Sequence, residues 1–177
     1  MIETPRLLLR GWRDEDYAPF AALNADPEVM RRFPATHTRE ESDTLADGNR
    51  EHIEEHGWGL WAIERRDDGR FLGFVGLARP RQPNPYADEV EVGWRLAQEG
   101  WGHGYASEAA RASLAYGFER LKLPRIISFT ATENERSQAV MRRIGMTRAP
   151  DLDFDHPRLP KGHRLERHVV YVINRPA

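Results

Sequence analysis

The segment of residues 99–106 is the part of the sequence that points most directly to a binding site. Glycine stands at alternate positions, Gly100, Gly102 and Gly104, between a predicted strand and a predicted helix. Because glycine lacks a β-carbon, a ligand can approach this backbone closely, and the N–H groups of the turn and of the helix start converge on one point. The helix dipole adds partial positive charge there, which suits a pyrophosphate. A tight turn without any ligand is the alternative.

Two common nucleotide motifs do not fit this turn. A dinucleotide fingerprint that starts at Gly102 would need glycine or alanine in its sixth place, where the sequence has Ser107. A P-loop needs glycine and lysine followed by serine or threonine, and neither Lys122 nor Lys161 has that context. The spacing therefore excludes both motifs.

The sequence contains 7 histidines, a residue type that commonly binds metal ions. His52 and His56 stand four residues apart on a predicted helix, a spacing that can hold zinc. Ile53 occupies the place where a metalloprotease helix carries glutamate, and no third ligand is evident. We therefore expect no metal site. His156, His163 and His168 surround a late loop rich in proline, where they either border a substrate site or lie exposed.

The composition excludes further classes of chemistry. The chain has 177 residues, 40% of them hydrophobic and 31% charged, which fits one folded domain over residues 1–177. It contains 0 cysteines, so disulfides, thiol nucleophiles and iron–sulfur clusters are excluded. A net charge of −2 gives no reason to expect nucleic-acid binding. Without a long apolar run or a secretion-signal pattern, we expect an intracellular, cytoplasmic protein that binds no membrane.

The elements that must position the glycine turn follow from hydrophobic periodicity. The helices are expected to begin at acidic or capping residues, the clearest being Thr38, which forms a capping box with Glu41. The predicted strands span residues 6–12, 58–63, 71–77, 90–96, 125–132 and 169–173, and the helices span residues 14–23, a short segment from 26, 38–56, 105–121 and 135–144. This order predicts a mixed α/β fold with a mostly antiparallel central sheet flanked by helices, and excludes a repeating βαβ fold.

Several segments together resemble the GNAT N-acetyltransferase superfamily. They are Gly93-Trp94-Arg95-Leu96, then Trp101-Gly102-His103-Gly104-Tyr105-Ala106 with Glu108-Ala109, and finally Asn134-x-x-Ser137 followed by Ile144-Gly145-Met146. The start of the chain, residues 4–10, is similar to that of the ribosomal-protein (alanine/serine) branch. The resemblance implies the GNAT acyl-CoA N-acyltransferase fold and transfer of an acetyl group from acetyl-CoA to a primary amine.

The resemblance also implies the residues that would bind acetyl-CoA. These are Trp94, Arg95, Leu96, Trp101, Gly102, His103, Gly104, Tyr105, Ala106, Asn134 and Ser137. One position departs from the family, which prefers glutamine or arginine where this chain has Glu99. Because main-chain N–H groups hold the phosphates, an acidic residue is tolerable there, but a possible cationic contact is lost.

Acetyl transfer to an amine requires a base, a polarised thioester carbonyl and a proton for the departing thiolate. Glu91 is the base candidate, because it matches an acidic position of the branch and shares one strand face with Glu89, Gly93 and Arg95. A solvated carboxylate on an open sheet face is the alternative, and Glu89 could act through a water. The carbonyl is expected to meet a main-chain N–H near residues 94–96, where the family's strands splay.

Ser137 is the candidate for the general acid. By resemblance it hydrogen-bonds the CoA sulfur, while Asn134 binds the pantetheine arm; an ordinary N-cap for Asn134 and a plain helix hydroxyl for Ser137 are the alternatives. Because many GNAT enzymes use tyrosine as the acid, Tyr105 and Tyr171 are the other candidates.

The sequence does not decide between protein N-termini and small amines as the acceptor. It also does not decide whether the protein forms a homodimer. Acidic residues of the helix 39–56 could attract a cationic acceptor, although a solvated helix face explains them as well. The main prediction is an enzyme that acts by direct attack in a ternary complex. A non-catalytic acyl-CoA-binding sensor of the same fold is the alternative.

Overall fold

The computed structural model describes residues 1–176. Its centre is a nine-stranded sheet with the order β1-β2-β3-β4-β5-β6-β9-β7, in which β8 pairs with β9. The strands are β1 (Ile2–Glu3), β2 (Leu7–Arg10), β3 (Leu60–Arg65), β4 (Phe71–Ala78), β5 (Glu91–Leu96), β6 (Arg125–Ala131), β7 (Thr147–Arg148), β8 (Phe154–Asp155) and β9 (Arg167–Asn174). The helices are α1 (Tyr17–Ala25), α2 (Arg39–His56), α3 (Tyr105–Glu119) and α4 (Glu135–Arg143). The predicted mixed, mostly antiparallel sheet with flanking helices is confirmed.

Alternation along the strands divides the core between the two faces of the sheet. Trp61 and Ile63 of β3 belong to the large cluster that packs against α3, together with Leu114. Ala62 lies between them in the chain and therefore points to the other face, where it joins the cluster of Phe20 and its neighbours beneath α1 and α2. The two helical layers thus cover opposite faces of the sheet.

One junction in the sheet is parallel. Among the described residues, β5 and β6 share a single register pair, Glu91 with Ile127, and the Ile127 N–H donates to the Val90 carbonyl at 3.0 Å. One residue further along β6, the Ser128 hydroxyl donates to the Val92 carbonyl at 2.8 Å, so a side-chain hydrogen bond takes the place of a main-chain bond between the strands. Beyond that point the two strands diverge, and the backbone of residues 93–96 is separated from β6.

Several predicted boundaries shift for physical reasons. Asp14–Asp16 forms a 3-10 turn rather than the start of the helix, because the buried Asp16 carboxylate turns back to accept from Arg10 at 2.7 and 2.9 Å. The segment after Asp26 is likewise a 3-10 turn, Val29–Arg32. The Thr38 capping box is present as predicted. No helix within residues 1–176 is long and apolar enough to cross a membrane.

Candidate functional site

The glycine turn has the backbone conformation that the sequence predicts. Gly102 and Gly104 have φ angles of 79° and 78°, in the left-handed region that favours glycine. Gly104 is the N-cap of α3, and no side chain within residues 1–176 accepts a hydrogen bond from the first N–H groups of this helix. These donors are therefore free to bind an anion in the way that helix N-termini do.

A cavity of about 870 Å³ opens at the divergence of β5 and β6. It brings together seven of the predicted residues: Glu91, Trp94, Arg95, Leu96, Trp101, Asn134 and Ser137. The other five, Gly102, His103, Gly104, Tyr105 and Ala106, follow Trp101 in the chain and lie outside the lining. The cavity and the turn therefore form adjoining halves of one candidate site.

Glu91 lies at the point where the two strands part. Its side chain is partly buried and has no hydrogen-bond or ion-pair partner among residues 1–176. Burial raises the pKa of Glu91 to about 7, because the carboxylate loses hydration that no positive charge replaces. A carboxylate with a pKa near neutrality can both accept and release a proton at physiological pH. The neighbouring Glu89 differs, because its carboxylate forms an ion pair with Arg125.

Asn134 and Ser137 are connected at the start of α4. The Asn134 carbonyl caps the helix by accepting from the Ser137 N–H at 3.3 Å. Its amide donates to the Thr130 hydroxyl at 2.9 Å and to the Ser137 hydroxyl at 3.0 Å. Both amide hydrogens of Asn134 are thus engaged, so only its carbonyl has capacity for another group.

The two tyrosines considered as alternatives lie outside the cavity lining. The ring of Tyr105 packs beneath the Arg6 guanidinium, whose central carbon is 4.7 Å from the ring centroid. The buried Tyr171 hydroxyl donates to Gln138 and accepts from Arg142, both at 3.2 Å. Among the candidate acids, Ser137 alone lines the cavity.

Two of the three histidines around the late loop line the cavity, one of them from strand β9. His156 and His168 line it with ring centroids 4.9 Å apart, while His163 lies elsewhere. Burial lowers the pKa of His168 to about 4 and also lowers that of His156, so both rings are neutral near pH 7. The other pair, His52 and His56, belongs to no cluster of three metal-ligating side chains within residues 1–176.

The acidic residues of α2 lie away from the cavity. Asp43 pairs with Arg39, Glu54 pairs with Arg50, and none of the acidic side chains of α2 is part of the cavity lining. The solvated-face interpretation of this helix therefore fits the structure. The cavity is instead lined by five arginines that the sequence analysis mostly missed: Arg31, Arg32, Arg95, Arg136 and Arg158.

Arg136 is the most informative of the missed residues. Its guanidinium lies over the ring of Trp101, 4.5 Å from the centroid, at the boundary between the cavity and the glycine turn. Glu99, the residue that departs from the family pattern, pairs with Arg70 at 3.0 Å. A cationic side chain is thus present beside the glycine turn, but Arg136 supplies it, from between Asn134 and Ser137, and not the residue at position 99.

Comparison with known proteins agrees with this architecture. Residues 6–147 match the family model described as "Acetyltransferase (GNAT) domain". The chain is 31% identical to the uncharacterized N-acetyltransferase YnaD of Bacillus subtilis over 97% of this chain and 95% of that protein. It is 33% identical to the FsC-acetyl coenzyme A-N(2)-transacetylase of Aspergillus fumigatus over 98% of this chain and 76% of that protein.

Solved structures show the same fold. An acetyltransferase (GNAT family) from Bacillus anthracis superimposes with a TM-score of 0.80 and is 27% identical in sequence. The superposition covers 98% of this chain and 98% of that one. The ribosomal L7/L12 alpha-N-protein acetyltransferase RimL, solved in complex with coenzyme A, has a TM-score of 0.74 at 18% identity, over 97% of this chain and 95% of that one, a likeness of fold. The chain therefore belongs to the GNAT acetyltransferase family and is an N-acetyltransferase.

Proposed function

We propose that residues 1–177 act as one domain that transfers the acetyl group of acetyl-CoA to a primary amine by direct attack in a ternary complex. The observation that carries the proposal is the divergence of β5 and β6, because it places Glu91 and Ser137 on one cavity beside a helix N-terminus with free N–H groups. The names of two similar proteins, one an acetyl coenzyme A transacetylase and one solved with coenzyme A, support the choice of cofactor.

The cofactor is assigned to the turn and the adjoining strand. The main-chain N–H groups of residues 102–106 would bind the diphosphate, and Arg136 would supply the positive charge beside them. The backbone of Trp94, Arg95 and Leu96 pairs with β4 on one side and with no described strand on the other, and this second side would bind the pantetheine arm and polarise the thioester carbonyl. This assignment leaves the carbonyl of Asn134 as the part of that side chain able to contact the cofactor.

Glu91 is proposed as the base. An ammonium ion cannot attack, so one proton must leave it before the nitrogen reaches the thioester carbon. With a pKa of about 7, Glu91 is close to the reference value of about 8 for an α-amino group and far from about 10.4 for lysine. Proton transfer to Glu91 is therefore less unfavourable from an α-ammonium group than from a lysine ammonium group. This difference favours an N-terminal or similarly weakly basic amine as the acceptor.

Ser137 is proposed as the acid, and Asn134 as the residue that positions it. The Ser137 hydroxyl already accepts from Asn134, so its own hydrogen can be donated to the departing sulfur. When the tetrahedral intermediate collapses, the C–S bond breaks, and the second proton of the amine ends on the CoA thiol while the serine hydroxyl is restored. With no cysteine in the sequence, no acetyl-cysteine can form on these residues, which favours direct attack.

Release of the CoA thiol tests the proposal. The protein is incubated with acetyl-CoA and a panel of primary amines and peptides, and the free thiol is followed; the absence of cysteine removes any background from the protein. Turnover with at least one amine, reduced in Glu91→Gln and Ser137→Ala, is the expected result. Thermal stabilisation by acetyl-CoA with no turnover on any amine would contradict the proposal and support the acyl-CoA sensor instead.

A further inference from the structure

Arg95 presents a guanidinium to the cavity without a counter-ion. The side chain lines the cavity, and its Nε is buried without a hydrogen-bond partner in the described part of the chain. It forms no ion pair with any carboxylate of residues 1–176, and burial lowers the pKa of Arg95 to about 10. The group is still charged at neutral pH, and a buried charge that lacks a partner is costly unless something pairs with it.

Three separate elements hold this guanidinium in place. One terminal nitrogen of Arg95 donates to the Asn24 carbonyl oxygen at 2.7 Å, at the end of α1. Asn24 is fully buried and is itself fixed by donating to the Ser42 hydroxyl of α2 at 2.9 Å. The ring of Phe33 covers the guanidinium, whose central carbon is 4.1 Å from the ring centroid. Such support restricts the side chain to one position and leaves part of its donor set facing the cavity.

The other charges of the cavity do not neutralise Arg95. Glu28 pairs with Arg31 at 3.5 Å, and Glu133 is shared by Arg32 at 2.7 Å and Arg164 at 2.6 Å. Glu135 also lines the cavity, but its side chain is exposed and forms no ion pair with Arg95. Glu91 is four residues away on the same strand, so the two Cα atoms are ~13 Å apart. Arg95 and the proposed base Glu91 therefore lie on the same face of β5, near its two ends.

The direction of Arg95 separates it from the cofactor phosphates. Arg95 and Glu91 share the sheet face covered by α1 and α2, whereas the glycine turn leads into α3 on the opposite face. The diphosphate has its own donors at that turn. The unmet charge of Arg95 is thus on the side from which an acceptor, rather than the cofactor, would enter.

We propose that Arg95 binds a carboxylate of the acceptor, so that the preferred substrates are primary amines that carry a carboxylate several bonds from the nitrogen. This inference rests on the proposed function and deepens it. A free ω-amino acid and a peptide with an acidic side chain near its N-terminus both present such a carboxylate, and the proposed base favours the peptide, whose α-amine is the less basic of the two. Apart from the bond to Asn24, the guanidinium of Arg95 donates to no group of residues 1–176, and a carboxylate suits it because both carboxylate oxygens can accept.

Matched acceptors test the inference by thiol release. The first pair is 6-aminohexanoate and 6-aminohexanamide, and the second is a tripeptide amide with aspartate or asparagine at its second position. For whichever source is the substrate, the wild type is expected to prefer the carboxylate in kcat/KM by about ten- to a hundredfold, the effect of a hydrogen bond to a charged group. In Arg95→Gln this ratio is expected to fall to near unity, and in Arg95→Lys to an intermediate value.

Arg31→Gln is the matched control, because it removes the same charge from the same cavity at a side chain that is 61% exposed. It is expected to keep most of the preference. Equal loss in Arg31→Gln and Arg95→Gln would overturn the assignment to Arg95, and so would a wild type that acetylates the neutral and carboxylate amines equally well. If neither pair is acetylated although another amine of the wider panel is, the inference fails and the proposed function stands. If no amine is acetylated, the proposed function itself fails. If Arg95→Gln does not fold, Arg95→Lys must still lower the ratio for the inference to stand.

Discussion

The amide of Asn134 donates to the hydroxyl of Ser137 at 3.0 Å, and the same side chain caps the helix through its carbonyl. Because the hydroxyl oxygen of Ser137 accepts, its hydrogen is directed to some other acceptor. This direction leaves the Ser137 hydrogen available for donation, as the proposed role of general acid requires.

Asn134→Asp is predicted to reverse that direction. Aspartate remains a good N-cap, so the variant should lose little stability. Its carboxylate cannot donate, however, and would take the Ser137 hydrogen itself. We expect kcat to fall by about a hundredfold, the lower end of general acid–base assistance, with Tm nearly unchanged. Asn134→Ala is the comparison, because it should also lose about 1 kcal/mol of stability with the cap. Wild-type kcat in Asn134→Asp would contradict the role of Ser137.

Glu91→Gln is predicted to stabilise the protein at high pH. Burial raises the pKa of Glu91 from 4.5 to about 7, so ionising it costs more in the folded state than in the unfolded state. The destabilisation is absent below the pKa that Glu91 has in the unfolded state, and it grows until the pH passes the pKa of Glu91 in the folded state. Above pH 7 it reaches at most ~3 kcal/mol. The difference in unfolding free energy between Glu91→Gln and wild type should therefore increase from pH 4.5 to 7.5. A constant difference would indicate a solvated carboxylate.

Arg136→Gln is predicted to weaken acetyl-CoA binding. Its guanidinium is held over Trp101 beside the glycine turn, where the cofactor phosphates are assigned. Loss of a charge-assisted contact should raise the dissociation constant about tenfold, and the difference should shrink as salt increases. Titration of acetyl-CoA by calorimetry measures it. Arg143→Gln serves as the control, since Arg143 is an exposed residue of the same helix that does not line the cavity. Equal affinities for Arg136→Gln and wild type would remove Arg136 from the site.

Gly73→Ala and Gly93→Ala are predicted to differ sharply. Gly73 has a φ of 130°, and a β-carbon there would overlap the Arg95 carbonyl, so alanine should cost more than ~2 kcal/mol of stability. Gly93 lies between Glu91 and Arg95, and a β-carbon there meets nothing within 4 Å. Gly93→Ala should remain as stable as wild type and raise the acceptor KM by narrowing the cavity. Chemical denaturation and steady-state kinetics measure the two effects; equal stabilities of the two variants would refute the packing argument.

The local signals in the sequence predict the main elements, and the two residues that they nominate for catalysis, Glu91 and Ser137, line one cavity. The capping box at Thr38 and the two-residue period around Glu91 depend only on near neighbours, and both are present. The strands β1, β7 and β8 have two residues each and exist only through pairing with distant segments, so no periodicity marks them.

The unpredicted parts of the site depend on contacts between distant residues. Arg95 meets Asn24 across 71 positions of the chain, and Arg136 reaches Trp101 from another element. His156 and His168 come together because β8 pairs with β9. The motif Asn134-x-x-Ser137 predicts that both residues lie at a helix start, as they do, but the direction of its hydrogen bonds depends on the position of Thr130 on β6.

The pH dependence of kcat/KM for an acetylated amine tests the central claim most directly, in the wild type, Glu91→Gln and Glu89→Gln. Because the base must be ionised, wild-type kcat/KM should rise with pH through an apparent pKa near 7, the value to which burial raises the Glu91 carboxyl. Glu89→Gln should keep this rising limb of the pH profile, since Glu89 is paired with Arg125. In Glu91→Gln the limb should disappear and kcat/KM should fall by about a hundredfold or more. An unchanged profile in Glu91→Gln would contradict the account.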